Sequence, residues 1–151
     1  MEGVMDTPHP TPLSDDAALV AALGATAMPF SGSAEAQAES WIRTLRLHGR
    51  VGSAMQALGV GEAPLRAEYD LEGKPRPASP PPAGDVAERV VSRAHDLASQ
   101  EGAGSTGTAH LLGALFDIYG DVMERALELH GATRAELLQR VEEIGAHAEA
   151  G

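Results

Sequence analysis

Hydrophobic residues recur at helical spacing along most of the chain, most clearly in its second half. One set of apolar positions follows the spacing i, i+4, i+8, i+11 and i+12 and therefore lies on one helix face: Val86, Val90, Ala94, Leu97 and Ala98. Alternating runs of Val, Ile and Thr, which would indicate strands, are absent. The pattern predicts an all-α protein.

Capping residues and glycines give the expected helix boundaries. Ser, Thr and Asp favour helix starts, and glycine favours the residue just past a helix end. A capping box over Thr133 and Glu136 begins the last predicted helix, which continues through Ile144. The other predicted helices run from Ser14 to Gly24, Ser33 to Gly49, Val51 to Gly59, Asp85 to Gly102, Thr108 (as N-cap) to Gly120, and Asp121 to His130.

A proline-rich stretch divides these helices into two groups. Six of the ten prolines lie between Gly59 and Gly84, and Pro80–Pro82 favours an extended polyproline II conformation. We therefore predict a flexible N-terminal segment (1–12), one folded domain (13–146) and a short tail (147–151). Within the domain, a first repeat (13–65) and a second repeat (85–146) flank a linker (66–84).

The two groups of helices resemble each other at an offset of about seventy residues. Ala17 and Val20 then correspond to Ala87 and Val90, and Trp41–Leu45 corresponds to Leu111–Leu115. An amphipathic helix group this short cannot bury its apolar face alone. The sequence therefore predicts two pseudo-symmetric helical repeats packed as one bundle.

Charge and composition exclude several classes of partner. The formal net charge is −11 and the isoelectric point is near 4.8, so nucleic acid and anionic membranes would be repelled. There is no cysteine, and the stretch 17–34 is interrupted by glycine and proline, so neither thiol chemistry nor a membrane span is expected. Residues 1–15 lack the basic and apolar regions of a secretory signal. We expect a cytoplasmic protein.

The second repeat resembles a known family. Its segment Gly107–Leu115 (GTAHLLGAL), preceded by Val90, Ala94 and Ala98 and followed by Gly131 and Leu137, is similar to the repeat of the Clp N-terminal domain. That family has a Gly-Thr-Glu-His-(Leu/Ile)-Leu segment at the start of its central helix. The first repeat has Ala38–Ile42 (AESWI) at the corresponding place and departs further from the pattern. The resemblance covers 13–146.

The resemblance implies a binding function rather than catalysis. In the family, this domain stands in front of AAA+ unfoldases and recruits substrates and adaptors. The sequence has no G-x-x-x-x-G-K-[ST] phosphate-binding loop, so we expect a free-standing domain without ATPase activity. The expected function is that of an adaptor, decoy or regulator of Clp proteolysis, with unfoldase components, adaptors or protein substrates as partners and no cofactor.

Three residues are candidates for a binding site. In C-type members of the family, the segment's Glu and neighbouring Thr hold a phosphoarginine, and the resemblance carries these roles to Glu39 and Thr108. Ala109 and Ala38 occupy the corresponding positions of the other repeat. The alternative is that Thr108 only caps its helix and Glu39 lies on a solvated face. Trp41 is either a core residue or the anchor for a hydrophobic ligand or peptide.

Other interpretations remain open. Trp41 and the divergent first repeat also fit a small-molecule or peptide-antibiotic binding protein, serving in sequestration, immunity or biosynthesis. The six histidines include no pair at i, i+3 or i+4, so no metal site is expected, and His110 is interpreted as a hydrogen-bonded packing residue. His48 and His130 precede glycines expected to end helices, where positive charge is favourable. No G-x-S-x-G nucleophile motif occurs, and enzymatic activity is the weakest interpretation.

Overall fold

The protein is all-α. The computed structural model describes residues 12–62 and 78–150, with side chains to residue 145. Seven α-helices lie within these ranges: α1 (Asp15–Ala27), α2 (Ala34–Arg46), α3 (Gly49–Leu58), α4 (Val86–Glu101), α5 (Thr108–Tyr119), α6 (Asp121–Leu129) and α7 (Arg134–Ala150). A single 3₁₀ turn, Met28–Phe30, follows α1. The described residues include no helix long and apolar enough to cross a membrane.

Local side-chain caps fix the starts of four of the described helices, α1, α2, α4 and α7, as the sequence predicts. Ser14 and Ser33 each accept a hydrogen bond at 3.1 Å from a backbone N–H of the first helical turn that follows. Asp85 does the same for α4. Glu136 accepts from the Thr133 N–H at 2.8 Å, and Thr133 Oγ1 accepts from the Glu136 N–H at 3.1 Å. These reciprocal bonds confirm the predicted capping box.

Two glycines differ from their predicted roles. Gly24 does not end the first helix, because α1 continues through it to Ala27. A Cβ at Gly24 would overlap the Trp41 ring, so this glycine allows close approach of α1 and α2. Gly49 begins α3 rather than ending α2, which stops at Arg46, and its positive φ of 67° makes the turn between them. His48 accordingly precedes a helix start instead of a helix end.

The core lies between α2 and α5, which contact each other and most of the other helices. α2 packs on α1, α3 and α6, and α5 packs on α4, α3 and α6. The largest fully buried side chains come mainly from these two helices and α6: Trp41, Ile42, Leu45, Leu111, Leu112, Leu115, Met123 and Leu127. Of these eight side chains, all but Met123 and Leu127 belong to the segments Trp41–Leu45 and Leu111–Leu115. These two segments correspond to each other at the offset of about seventy residues.

A short backbone pairing joins the start of the described chain to the loop between α4 and α5. Leu13 and Thr106 form an isolated parallel bridge. The Ser14 N–H donates to the Thr106 carbonyl at 2.9 Å, and the Thr106 N–H donates to the Pro12 carbonyl at 2.8 Å. The loop is also held by His95, whose Nδ1 lies 2.9 Å from Thr106 Oγ1.

Parts of the predicted organisation lie outside the described residues. These are 1–11 of the expected N-terminal segment, 63–65 of the expected first repeat, 66–77 of the expected linker and residue 151. The linker residues 78–84 are described and contain no helix or strand. α7 continues through residues 147–150, the first four residues of the predicted tail. The pseudo-symmetry of the two repeats stays a prediction.

Candidate functional site

Glu39 is buried in a hydrogen bond to His130 that the sequence did not suggest. Its carboxylate oxygens lie 2.8 and 3.0 Å from His130 Nε2, and the two side chains are only 8% and 3% exposed. The Arg43 guanidinium, one turn later on α2, lies 3.8 Å from the same carboxylate. The interpretation of Glu39 as a residue on a solvated face is therefore wrong. A phosphoarginine guanidinium could reach this carboxylate only if His130 moved away.

Both nitrogens of the His130 ring have partners. Nδ1 accepts a hydrogen bond from the Gly61 N–H at 3.3 Å, so the proton of the neutral ring lies on Nε2 and is donated to Glu39. The pair therefore ties α2 to the end of α6 and to the turn after α3. With both nitrogens bound and the ring enclosed, His130 has no lone pair available to act as a base towards a substrate.

Trp41 belongs to the core and is fully buried. Its indole Nε1 donates to the Tyr119 hydroxyl at 3.3 Å, and that hydroxyl donates to Gln37 Oε1 at 2.6 Å. Burial raises the pKa of Tyr119 to about 12, although the Trp41 hydrogen bond and the Arg89 charge oppose this shift. Tyr119 therefore remains a neutral donor. Trp41 is not presented to a ligand at the surface.

Thr108 acts at the start of a different helix from the one predicted. Gly107 is the N-cap of α5, so the assignment of Thr108 as N-cap is wrong. The hydroxyl of the buried Thr108 instead accepts the Val51 N–H at 3.5 Å. That N–H belongs to the first turn of α3, whose own N-cap residue, His48, makes no side-chain cap. Thr108 thus supplies a cap from α5 to α3.

His110, the histidine of the Gly107–Leu115 segment, is a hydrogen-bonded packing residue, as predicted. His110 Nδ1 accepts from the Gly107 N–H at 2.9 Å, and Nε2 lies 3.1 Å from Glu101 Oε1. The His110 ring therefore caps the start of α5, where the N-cap residue Gly107 has no side chain to do so. Within 12–62 and 78–145, no group of three or more His, Asp or Glu side chains is arranged to hold a metal ion.

The three candidate residues do not form one site. Glu39 contacts the end of α6, Trp41 contacts α1 and α5, and Thr108 contacts α3. No side-chain hydrogen bond or ion pair in the described part of the chain joins any two of them. The sequence reasoning missed the partners Gln37, Tyr119 and His130. Gln37 could have been noticed, because it lies one turn before Trp41 on the face that becomes buried.

One surface feature with the dimensions of a binding site is a groove between α1 and α4, here called the α1–α4 groove. It has a volume of about 680 Å³, within the range of about 300–1,000 Å³ for small-molecule sites. Ala21, Ala22 and Ala25 form one wall, and Ala87 and Val91 form the other. Small alanine side chains on this face of α1 leave the groove open. No candidate residue of the sequence analysis lines it.

Acidic side chains form one rim of the α1–α4 groove. Asp85, Glu88 and Asp96 lie on the α4 side and are exposed, with His95 between them. Apolar walls and an acidic rim suit a peptide segment that carries an apolar side chain beside a Lys or Arg. The chain matches no protein-family model, and no curated protein is significantly similar to it.

Proposed function

We propose that the chain is a non-catalytic binding module that recognises polypeptide partners of a Clp proteolysis system and regulates that system as an adaptor or decoy. The link to Clp rests on the resemblance of the second repeat, and the all-α bundle is compatible with it. The observation that carries the binding function is the α1–α4 groove. It is open to solvent and large enough to take two or three side chains of a peptide.

The charge distribution specifies the preferred partner. The groove rim is acidic, and the chain as a whole carries a net charge of −11. The two arginines of the neighbouring α4 surface have partners: Arg93 pairs with Asp117 at 2.8 Å, and Arg89 donates to the Ala83 carbonyl at 2.9 Å. The expected partner segment is therefore apolar and basic, and its association slows as salt rises.

The buried polar groups support a structural rather than catalytic role. The Glu39–His130 pair is enclosed, and both ring nitrogens are bound within the protein. The Trp41–Tyr119–Gln37 chain of hydrogen bonds lies inside the core, with a phenol that keeps its proton. These groups hold helices together and leave recognition to the surface.

Affinity capture from the native cell lysate tests the proposal. The bait is the purified chain, compared with Ala22→Glu, which places a carboxylate in the groove, and with Ala57→Glu, the same change at an exposed position of α3. Wild type and Ala57→Glu should recover Clp unfoldase, adaptors or proteolysis substrates, and Ala22→Glu should not. Recovery of no Clp-related protein, or equal recovery by all three baits, would overturn the proposal.

A second candidate function uses the same groove. Its volume of about 680 Å³ also suits a compact cyclic peptide, which would make the chain a sequestering or immunity protein. A ligand present at about 100 times its Kd stabilises a protein by about 2.7 kcal/mol. A cyclic peptide that raises the Tm of wild type but not of Ala22→Glu would favour this function. No Tm change across a panel of such peptides would exclude it for that panel.

A further inference from the structure

The acidic rim of the α1–α4 groove is a row along one face of α4. We define the acidic row as Asp85, the N-cap of α4, followed by Glu88, Ser92 and Asp96. All four residues are exposed, and their intervals of three or four positions place them on the same side of the helix. The row is about 16 Å long, at 1.5 Å per helical residue. Among the described residues, the Glu88 and Asp96 carboxylates have no ion-pair partner.

Positive side chains of α4 lie on the other side of the acidic row. Arg89 and Arg93 line the surface that α4 shares with α5, where Arg93 pairs with Asp117 at 2.8 Å. Among the described residues that line the α1–α4 groove there is no arginine or lysine. His95 does line it, and its Nδ1 lies 2.9 Å from Thr106 Oγ1. The acidic row therefore faces the groove without a compensating arginine or lysine.

The walls between which a partner would lie are apolar and small. Ala21, Ala22 and Ala25 line the groove from α1, and Ala87 and Val91 line it from α4. Helices approach each other to about 8–10 Å between their axes, and the distance depends on the side chains at the contact. Alanine side chains on one wall allow a third helix to approach closely and to bury its own larger apolar side chains in the groove.

The backbone of the two walls favours a helical partner over an extended one. Extended peptides gain much of their affinity from main-chain hydrogen bonds to an exposed strand edge. α1 and α4 offer no such edge, because backbone groups inside a helix are paired with each other. A partner helix also pairs its own backbone groups and presents only side chains to the groove.

We propose that the α1–α4 groove is the docking site of an amphipathic α-helix with one basic flank. Apolar side chains at i, i+4 and i+7 of the partner pack on the apolar walls, and Lys or Arg residues on the adjacent flank lie along the acidic row. This inference rests on the proposed binding function and specifies its partner. A second copy of this chain is disfavoured as the occupant, because each copy carries a net charge of −11.

The test measures the affinity of synthetic peptides by isothermal titration calorimetry. The helical peptide has about 16 residues, with leucine at i, i+4, i+7 and i+11, lysine at i+1, i+5, i+8 and i+12, and alanine or glutamine elsewhere. It should bind the purified chain, and the Kd should rise with salt. A second peptide has proline at one central glutamine position. It keeps every leucine and lysine but cannot form a continuous helix, and it should bind about tenfold more weakly or worse.

Charge complementarity is tested from both sides. A third peptide with glutamate in place of every lysine should not bind. In the protein, Glu88→Gln/Asp96→Asn should weaken binding of the helical peptide about fivefold, the effect of two exposed ion pairs. Glu128→Gln/Glu142→Gln removes the same two charges from exposed positions of α6 and α7 and should bind like wild type. Ala22→Glu, which places a carboxylate between the apolar walls, should abolish binding.

Each contrary result overturns a defined part of the inference. Equal affinity of the helical and proline peptides would reject a helical occupant, and equal affinity of the two double variants would reject the acidic row as its contact. If the helical peptide does not bind although Ala22→Glu loses lysate capture, this inference fails and the proposed function stands. If Ala22→Glu abolishes peptide binding but no Clp-related protein is captured, the proposed function fails and the helix site stands.

Discussion

The two central helices bury different kinds of side chain. α2 buries three polar residues, Glu35, Gln37 and Glu39, beside its apolar ones. α5 buries an almost entirely apolar face, in which Thr108 and the Tyr119 hydroxyl are the polar exceptions. Both helices are amphipathic and lie in the same core. The difference is that Glu35, Gln37 and Glu39 each hold a separate element: Ser79 before α4, α5 and the end of α6, respectively.

α2 and α5 stabilise the fold in two different ways. Apolar burial, as on α5, contributes about 25 cal/mol per Å² but specifies position weakly. Buried hydrogen bonds contribute less net free energy, and they penalise every arrangement in which a partner is missing. α2 therefore positions other elements through polar contacts as well as apolar burial, while α5 contributes to the core almost entirely through apolar burial.

The largest expected effect comes from breaking the buried Glu39–His130 hydrogen bond of α2. His130→Leu leaves the Glu39 carboxylate buried without its main partner, and loss of one member of a buried pair costs about 3–5 kcal/mol. Urea unfolding should show this loss, and the double variant Glu39→Leu/His130→Leu should recover much of it. If His130→Leu is as stable as wild type, solvent or Arg43 stabilises the Glu39 carboxylate as well as His130 does.

A smaller effect is expected where α1 meets α2. In Gly24→Ala the new methyl group would overlap the Trp41 ring, and such overpacking costs about 1–3 kcal/mol despite the better helix propensity of alanine. Gly113→Ala is the matched change on α5, where the new methyl group would meet only a Leu97 methyl at 3.0 Å. A flexible leucine can move, so Gly113→Ala should change stability by less than about 0.5 kcal/mol. Equal Tm values for both variants would contradict the difference in packing.

The polar exception of α5 should matter less than those of α2. Thr108→Val keeps the shape but leaves the Val51 N–H of α3 without its acceptor, at a cost of about 1 kcal/mol. Thr108→Ser keeps the hydroxyl and should lose less. The order of the two Tm values is the measurement. If the serine variant is the less stable one, the methyl group rather than the hydroxyl holds α3.

The pH dependence that Tyr119 introduces is confined to alkaline pH. The pKa of Tyr119 rises from about 10 in the unfolded chain to about 12 in the folded one. The folded state therefore holds this proton more tightly, so the contribution is complete below pH 10 and is lost as the pH rises towards 12. Stability of wild type should fall more steeply across this range than that of Tyr119→Phe. If the free energies of unfolding of wild type and Tyr119→Phe depend on pH in the same way, folding does not raise the pKa of the Tyr119 phenol.

Local chemistry made the helices predictable. Ser14, Ser33, Asp85 and Thr133 cap helices through residues three positions away, so the signal is complete within one turn of sequence. Gly59 and Gly102 end helices with a positive φ, again a local property. The all-α class follows from these signals and from the apolar spacing.

Long-range pairing made the site residues unpredictable. Glu39 and His130 are 91 positions apart, and nothing in either neighbourhood indicates the other. Gly24 has the sequence signature of a helix end, but its lack of a side chain is used against a tryptophan of another helix. Thr108 has the signature of a cap and does cap a helix, although a different one. The α1–α4 groove depends on which alanines face α4, which a single sequence does not determine.

The bridge between Leu13 and Thr106 has a consequence for the order of folding. It joins the start of the folded domain to the loop between α4 and α5, and the loop-closure entropy of the chain between them must be overcome before its hydrogen bonds form. The helices form first from local contacts, and this pairing closes late. Amide exchange at Ser14 and Thr106 should then report a single opening event, in which the segment before α1 detaches from the loop between α4 and α5 while the helices stay packed.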